Sequence, residues 1–354
     1  MPEMRPRLVR IKDYGKFLDE RWAEHSAPRA ADAPTVGSLF AGCGGSSLGY
    51  SMAGFRELFA VEWDRDAAAT LKMNFPETIL HSGDIAKFMP LESLEGAGLK
   101  VGELDVLDGS PPCQGFSIVG LQKSGDPRSQ LYLEFVRILK SLMPRVFVVE
   151  NVTGLIQPKM KPVFVNMLRD LRSAGYRVRV FVGDASYYGA PQARKRVIFV
   201  GVREDMGTQP SFPTAWSIPT KTRDALIGVR PGQPAPEPCG KAAVCAQRVR
   251  PGSDASEIYQ KEIGRPMLWG LTRAALDKSC PVIVKTFRPA QAGMLHPYEN
   301  RHFSIPELKR LSSFPDQFEM VGDYKACHAQ LGNCVVPVFM RSIATHIRES
   351  ILER

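Results

Sequence analysis

Short apolar runs alternate with amphipathic stretches along the first half of the chain. The runs are rich in residues that favour strands, whereas segments such as Ser129–Leu142 and Val163–Ala174 have the spacing of amphipathic helices. We predict seven strands, at Thr35–Phe40, Leu58–Val61, Thr78–His81, Leu104–Leu107, Arg145–Val149, Arg177–Val182 and Arg196–Val202. Strands that alternate with helices form a mostly parallel sheet covered on both faces. Because only a turn-rich loop separates the last two strands, we expect them to pair antiparallel.

The alternation of strand-like and helix-like segments ends near Arg203. Residues 206–252 are rich in proline and glycine and show little hydrophobic periodicity. Regular spacing returns at Val335–Leu352, which is predicted as an amphipathic helix. We therefore expect a main domain made of residues 35–203 and 323–354, and a smaller, loop-rich domain over residues 204–322. Residues 1–34 are predicted to form a polar extension with one short helix.

Composition narrows the class of protein. Of the 354 residues, 44% are hydrophobic and 23% are charged, which is typical of a soluble globular protein. No apolar stretch is long enough to span a bilayer, and the N-terminal residues lack the apolar core of a signal peptide, so we expect a cytoplasmic protein. The seven cysteines include no C-x-x-C pair, which predicts reduced thiols and no metal site. A net charge of +9 is compatible with a polyanionic partner such as nucleic acid.

The residues at the carboxyl ends of the first three predicted strands indicate a nucleoside-binding site. Ligands of open parallel sheets bind at the carboxyl ends of the strands, and the first end carries a glycine-rich turn over residues 40–49. The second ends in Glu62 and Trp63, an acid placed to bind a ribose diol and a flat ring for an adenine. The third supplies Asp84, which can accept from an adenine amino group. The glycines lack the G-x-G-x-x-G spacing of pyrophosphate sites, so the pattern favours S-adenosylmethionine. A plain strand-to-helix connection remains the alternative for the turn alone.

The fourth strand end reads SPPCQGFS and places Cys113 just beyond two prolines. Pro111 and Pro112 fix φ and set the direction in which the thiol leaves the strand, and Gly115 frees the loop that follows. We interpret Cys113 as a nucleophile. A buried structural cysteine is the alternative, but Cys113 follows a polar turn and not an apolar run.

The fifth strand end and the entry to the last strand add charged groups. Glu150 directly follows an apolar strand, where a carboxylate is costly unless it has a partner or a task. Arg194 and Arg196 alternate in QARKR, and on a strand both would point to one side and face one pocket. The alternative is an exposed basic strand end.

The motifs FAGCGG, VEWD, GDI, SPPCQGFS, ENV, QARKR and LGNCVVP, in this order, resemble the DNA (cytosine-5)-methyltransferase family of the compact bacterial kind. The resemblance runs from about Thr35 to the C-terminus and is broken by a variable segment near residues 204–280. It implies an S-adenosylmethionine-dependent, Rossmann-like α/β fold with a mostly parallel seven-stranded sheet and a smaller target-recognition domain.

The resemblance also implies roles for individual residues. Cys113 would attack C6 of a flipped-out cytosine, Glu150 would hold or donate the proton at N3, and Arg194 would support the ring carbonyl with Arg196 nearby. The implied contacts to the S-adenosylmethionine cofactor are Phe40, Gly42, Cys43, Gly44, Gly45, Glu62, Trp63, Asp84, Ile85, Pro112, Leu131, Asn333, Cys334 and Val335. The implied substrate-loop residues are Gln114, Phe116, Ser117, Asn151 and Gln192.

The expected partner is double-stranded DNA of a specific sequence, and we expect a monomer that associates with the nucleoid. The sequence leaves open whether a cognate restriction endonuclease exists in the same system. In one motif Ser304 and Pro306 replace the family's usual Thr and Arg, which puts the packing of the small domain in question. Three alternatives remain: the same C5 chemistry on RNA, methylation of an exocyclic amine, and a non-catalytic module that binds cofactor and DNA. The retained Cys113 argues against the second, and Cys113 with Glu150 against the third.

Overall fold

A computed structural model describes residues 8–112, 127–230, 232, 235–264, 270–290 and 293–353, with only the helical backbone for residues 127–130. The chain divides into two compact units. The sheet unit comprises the described residues of Ala23–Asp184, Lys195–Thr214 and Phe339–Arg354, and the second unit those of Met1–Trp22, Ala185–Arg194 and Ala215–Val338.

The sheet unit contains all seven predicted strands. They are β1 (Thr35–Leu39), β2 (Arg56–Glu62), β3 (Ile79–Ser82), β4 (Val106–Gly109), β5 (Val146–Val152), β6 (Tyr176–Asp184) and β7 (Lys195–Arg203). They lie in the order β3-β2-β1-β4-β5-β7-β6, and all neighbours pair parallel except those of β7, which is antiparallel to both β5 and β6. The predicted parallel sheet and its antiparallel last pair are therefore confirmed.

The α-helices among the described residues follow the predicted alternation, and the C-terminal one starts two residues later than expected. They are α1 (Tyr14–Ser26), α2 (Gly45–Met52), α3 (Arg65–Asn74), α4 (Pro90–Gly96), α5 (Pro127–Leu142), α6 (Lys161–Ser173), α7 (Thr222–Leu226), α8 (Gly240–Ala246), α9 (Ser256–Ile263), α10 (Ile305–Leu311), α11 (Tyr324–Asn333) and α12 (Pro337–Ile347), the last continued by a π-helical turn at Arg348–Leu352. Proline at the first position of α12 needs no N–H partner, which explains why the helix begins there.

Glycines let large rings fill the core of the sheet. Gly37 of β1 lies directly opposite Phe59 of β2, and Gly201 of β7 lies opposite Phe147 of β5. A Cβ built at Gly37 or Gly201 would lie 2.2 Å or 2.0 Å from the facing ring. The sheet core therefore requires glycine at these positions because each phenylalanine occupies the space of the missing side chain.

The second unit has its own small core under a two-stranded parallel sheet, β8 (Leu271–Arg273) and β9 (Gly293–Leu295). Its buried residues are Ala242, Cys245, Ala246, Val249, Ala255, Tyr259, Leu271 and Leu295. The bounds of the unit differ from those of the predicted small domain, because residues 185–194 and 323–338 belong to it while residues 204–214 belong to the sheet unit. The functional division into a catalytic and a target-recognition domain stays a prediction.

The two departures from the family pattern fit the start of α10. The Ser304 hydroxyl accepts from the Glu307 N–H, and the Glu307 carboxylate accepts from the Ser304 N–H, so that the two residues form a capping box. Pro306 occupies the first turn of the helix, where its missing N–H costs nothing. Serine in place of threonine thus preserves the cap. Within the described ranges, no helix is long and apolar enough to cross a membrane.

Candidate cofactor and catalytic site

The connection from β1 to α2 is a tight turn with left-handed residues. Phe40, Gly42 and Gly44 have φ values of 55°, 58° and 93°, which glycine adopts freely and phenylalanine rarely. A Cβ at Gly44 would lie 2.9 Å from the Phe75 ring, whereas one at Gly42 would meet no described atom within 4 Å. Cys43 is buried. The turn therefore leaves open space beside Gly42, where a ligand was expected.

Glu62 holds this turn from the end of β2. Its Oε2 accepts from the Gly42 N–H at 2.7 Å, and its Oε1 accepts from the Asp64 N–H at 2.7 Å. Burial raises the pKa of Glu62, and these two backbone donors partly offset that effect. Each carboxylate oxygen keeps a second lone pair that can accept from a hydroxyl group. Glu62 can therefore fix the glycine turn and bind a ribose diol at the same time.

The ends of β2 and β3 present the groups expected near an adenine. Trp63 has 75% of its surface exposed, so that a ring face is available for stacking. Asp84 accepts from the Ala86 N–H at 3.0 Å through Oδ1 and begins a short 3₁₀ turn whose first residue, Ile85, is buried. Because β1, β2 and β3 are adjacent and parallel, these strand ends lie along one edge of the sheet.

A side chain of β5 holds the exit of β4. The Asn151 Nδ2 donates to the Pro111 carbonyl at 3.2 Å, while its Oδ1 accepts from the Val152 N–H at 2.8 Å. Pro112 is exposed, and Leu131 packs against the sheet core. Four predicted residues lie outside the described residues: Cys113, Gln114, Phe116 and Ser117. The structure thus fixes the backbone that leads to the predicted nucleophile.

Glu150 and Arg196 form an ion pair between β5 and β7. The antiparallel register sets Glu150 opposite Ile198 and Val152 opposite Arg196, which places both charged side chains on one face of the sheet. The Arg196 Nε lies 2.7 Å from the Glu150 Oε1, with the two side chains 14% and 9% exposed. Among the described residues no N–H is well aligned for a hydrogen bond to that oxygen, so the contact is electrostatic. A carboxylate so enclosed would be costly without its cation.

Arg194 has different partners from Arg196. β7 begins at Lys195, so Arg194 precedes the strand and the alternation expected from the sequence does not apply. Its guanidinium is 3% exposed and donates to the Ile283 carbonyl at 3.1 Å and to the Gly332 carbonyl at 3.0 Å. The role of Arg194 toward a cytosine ring stays a prediction.

The remaining predicted contacts lie in the second unit. Gln192 is fully buried, and its Oε1 accepts from the Ile283 N–H at 3.3 Å. Asn333 is exposed as the last residue of α11, and Cys334 and Val335, which follow it, are buried. Their roles toward cofactor and substrate stay predictions.

Comparison with known proteins decides the family. A family model described as C-5 cytosine-specific DNA methylase matches residues 35–349. The chain belongs to this family. The type II methyltransferase M.NgoPII of Neisseria gonorrhoeae is 30% identical over 348 residues, which cover 93% of this chain and 99% of that protein. M.DdeI of Desulfomicrobium norvegicum is 29% identical over 372 residues, with 87% of each chain covered. The predicted DNA cytosine-5-methyltransferase is thereby confirmed.

Solved structures agree with the methyltransferase fold. The crystal structure of a DNA modification methyltransferase encoded within a prophage (E. coli) has a TM-score of 0.70 at 26% identity, and covers 91% of this chain and 100% of its own. A Spodoptera frugiperda DNMT2 variant has a TM-score of 0.65 at 18% identity, over 87% of this chain and 98% of its own, which is a likeness of fold alone. The predicted fold class is confirmed.

The methyltransferase also contains two buried carboxyls that sequence reasoning missed. The Glu57 Oε1 accepts from the hydroxyls of Ser38 at 2.5 Å and Ser47 at 2.7 Å, and Asp108 accepts from the Tyr50 hydroxyl at 3.4 Å. Burial raises the pKa of both carboxyls to about 7. The available signal was an acidic residue inside a strand whose other residues are mostly apolar.

Proposed function

We propose that this methyltransferase transfers a methyl group from S-adenosylmethionine to C5 of a cytosine flipped out of a specific double-stranded DNA sequence, through a covalent bond between Cys113 and C6. The observation that carries the proposal is the ion pair between Glu150 and Arg196 at 2.7 Å. Glu150 lies on β5 next to Asn151, whose side chain binds the backbone that leads to Cys113. Flipping is required because C5 and C6 are not accessible inside the base stack.

The residues at the sheet edge fit the cofactor. Glu62 offers carboxylate lone pairs, the exposed Trp63 offers a ring face, and no described atom lies within 4 Å of the Cβ position of Gly42. We assign the ribose to Glu62, the adenine to Trp63 and Asp84, and the amino-acid end to the glycine turn. When bound, S-adenosylmethionine supplies an electrophilic methyl group.

Cys113 and Glu150 would carry out the proton and covalent steps. The Cys113 thiolate adds to C6, the C5–C6 π bond opens, and C5 becomes nucleophilic. Glu150 holds a proton at N3 and offsets the charge that develops on the ring. After methylation the C5 proton passes to solvent water, and the C5–H electron pair re-forms the C5–C6 double bond as the C6–S bond breaks, which expels the Cys113 thiolate and restores the ring.

Arg196 is the arginine that we assign to the catalytic centre. It contacts the Glu150 carboxylate directly and so fixes the orientation of that group. Arg194, in contrast, uses two guanidinium nitrogens on main-chain carbonyls of the second unit. This assignment reverses the emphasis that the family resemblance implied, and Arg194→Lys and Arg196→Lys variants can test it through the rate of covalent complex formation.

The relatives are named type II methyltransferases, which supports a role in a restriction–modification system. We propose a partner endonuclease with the same recognition sequence, and a monomer that acts on DNA in the cytoplasm. DNA from cells that express the protein should then resist that endonuclease.

Duplex DNA with 5-fluorocytosine at the target position tests the mechanism. Fluorine permits thiolate addition and methylation but blocks the final elimination, because no proton can leave C5. The wild-type protein should form a complex that survives denaturation and requires S-adenosylmethionine. Cys113→Ala should form none, whereas Cys239→Ala, which removes an exposed cysteine, should behave like the wild type.

Other outcomes would redirect the proposal. Glu150→Gln should form the covalent complex with fluorinated DNA more slowly, because N3 loses its acid partner. The exposed Glu95→Gln is its matched control. Trapping on fluorinated RNA but not on DNA would assign the chemistry to RNA. Rapid methylation of DNA by a folded Cys113→Ala protein would refute the covalent mechanism.

A further inference from the structure

An irregular segment of the second unit, residues 282–286, exposes side chains from a backbone that neighbouring residues hold in place. Val282 and Val284 are 40% and 53% exposed, and Lys285 and Thr286 are exposed as well. Ile283 between them is only 2% exposed. The segment therefore has one buried anchor and an outward surface of mixed apolar, cationic and hydroxyl character.

Gln192 and Arg194, both in the motif QARKR, bind the main chain of Ile283 through its N–H and its carbonyl. The Gln192 Oε1 accepts from the Ile283 N–H at 3.3 Å, and the Arg194 Nη1 donates to the Ile283 carbonyl at 3.1 Å. Just before the segment, the Cys280 N–H donates to the Pro191 carbonyl at 2.7 Å, and the Cys280 carbonyl accepts from Ala193 at 2.8 Å. The main-chain N–H and carbonyl groups of Cys280 and Ile283 are thus all paired with residues 191–194.

Helix α11 supports the segment from its other side. A Cβ at Gly332 would lie 2.4 Å from the carbonyl carbon of Val284 and 2.5 Å from the Lys285 nitrogen, so the helix and the segment touch through main-chain atoms. The Phe287 ring lies 4.9 Å from the half-buried Tyr324 ring and is itself half-buried, so this contact provides a second anchor. Both ends of the exposed stretch are therefore fixed before any ligand binds.

We propose that residues 282–286 contact the DNA recognition sequence, with Val284 at the base edges and Lys285 at a phosphate, and that Gln192 and Arg194 are positioning residues for this contact. The inference rests on the proposed function and adds to it a location for sequence readout. An apolar side chain such as Val284 can distinguish bases through the thymine methyl group, and a lysine neutralises a phosphate whatever the sequence. Because this backbone is already held in place, it loses little conformational entropy when DNA binds, so that the readout is selective.

The occupant is DNA because the family acts on DNA and the surface carries a cation in a protein of net charge +9. Arg194 would act through main-chain groups, since its guanidinium is buried and donates to carbonyls at both Ile283 and Gly332. Substitution of Arg194 should therefore change recognition more than the chemical step.

The test starts with the wild-type protein and bisulfite sequencing, which gives the methylated sequence. kcat/KM is then measured on this duplex and on duplexes with each base pair replaced in turn. Val284→Ala should reduce discrimination at one or two base pairs by roughly 5-fold or more. Val244→Ala, 48% exposed on α8 of the same unit, is the matched control and should leave discrimination unchanged.

Lys285→Met should weaken binding about equally on all duplexes and lower the slope of log Kd against log salt by about 1. The exposed Lys261→Met is its control. Arg194→Lys should raise KM for the cognate duplex more than it lowers kcat, and should relax the same base pairs as Val284→Ala.

Each part of the inference has a result that overturns it. Discrimination by Val284→Ala within twofold of wild type at every base pair would rule out readout by the segment, and an unchanged salt slope for Lys285→Met would rule out the phosphate contact. A fall in kcat for Arg194→Lys at unchanged KM and discrimination would make Arg194 catalytic. Absence of 5-methylcytosine with the wild-type protein would instead refute the proposed function.

Discussion

The buried carboxyl of Glu57 should make the stability of the sheet unit depend on pH. The residue as a whole is half-buried, but its carboxyl is enclosed, and Oε2 has no hydrogen-bond partner among the described residues. Burial raises the pKa of Glu57 from 4.5 to about 7, and the donors Ser38 and Ser47 only partly offset this. The folded protein therefore holds a proton at Glu57 over a range of pH in which the unfolded chain has released it.

The sign and size of the effect follow from the two titrations. Because the folded state binds more protons between pH 4.5 and 7, the free energy of unfolding falls as the pH rises through this window. Between pH 5 and pH 8 the contribution of Glu57 amounts to a loss of at most about 2.5 kcal/mol. Glu57→Gln keeps the shape and an oxygen for both hydroxyls but cannot ionise, so it should escape this loss.

Urea unfolding followed by circular dichroism at pH 5, 6, 7 and 8, at constant ionic strength, measures the effect. The difference in unfolding free energy between Glu57→Gln and wild type should shift in favour of the variant by up to about 2.5 kcal/mol as the pH rises. Glu95→Gln, an exposed change on α4, should give a difference that does not vary with pH. A pH-independent difference for Glu57→Gln would refute the argument from burial.

Three further changes test other parts of the structure. Gly201→Ala should destabilise the protein by about 1–3 kcal/mol in urea unfolding, because the new Cβ overlaps the Phe147 ring. Adding Phe147→Leu to the same chain should recover part of this loss, and additive free-energy changes of the two substitutions would contradict the overlap. Glu62→Ala should weaken S-adenosylmethionine binding in calorimetry by about 1.5–3 kcal/mol, and unchanged affinity in a folded variant would exclude the ribose role. Arg273→Lys should speed amide exchange in residues 246–250 and 296–300, since the buried guanidinium donates to main-chain carbonyls in both stretches; unchanged exchange would mean that these bonds do not hold the loops.

The sequence by itself determined the elements and the family. Runs such as those around β1 and β5 specify strands because branched and aromatic residues favour an extended backbone, and the glycines at 42 and 44 specify a left-handed turn that other residues avoid. The antiparallel pairing of the last two strands also followed from the short loop between them. These properties are local, so a local pattern is sufficient to encode them.

Tertiary structure decided which charged groups meet. The family resemblance assigned the ring carbonyl to Arg194 with Arg196 nearby, but the motif QARKR could not show the contacts of either arginine, because these depend on where β7 begins and on partners far along the chain. Arg194 donates to carbonyls 89 and 138 residues away, and Arg196 meets a carboxylate that the insertion of β7 between β5 and β6 brings beside it. The physical reason is that the stability of a buried charge depends on the groups packed around it, which only the folded chain brings together.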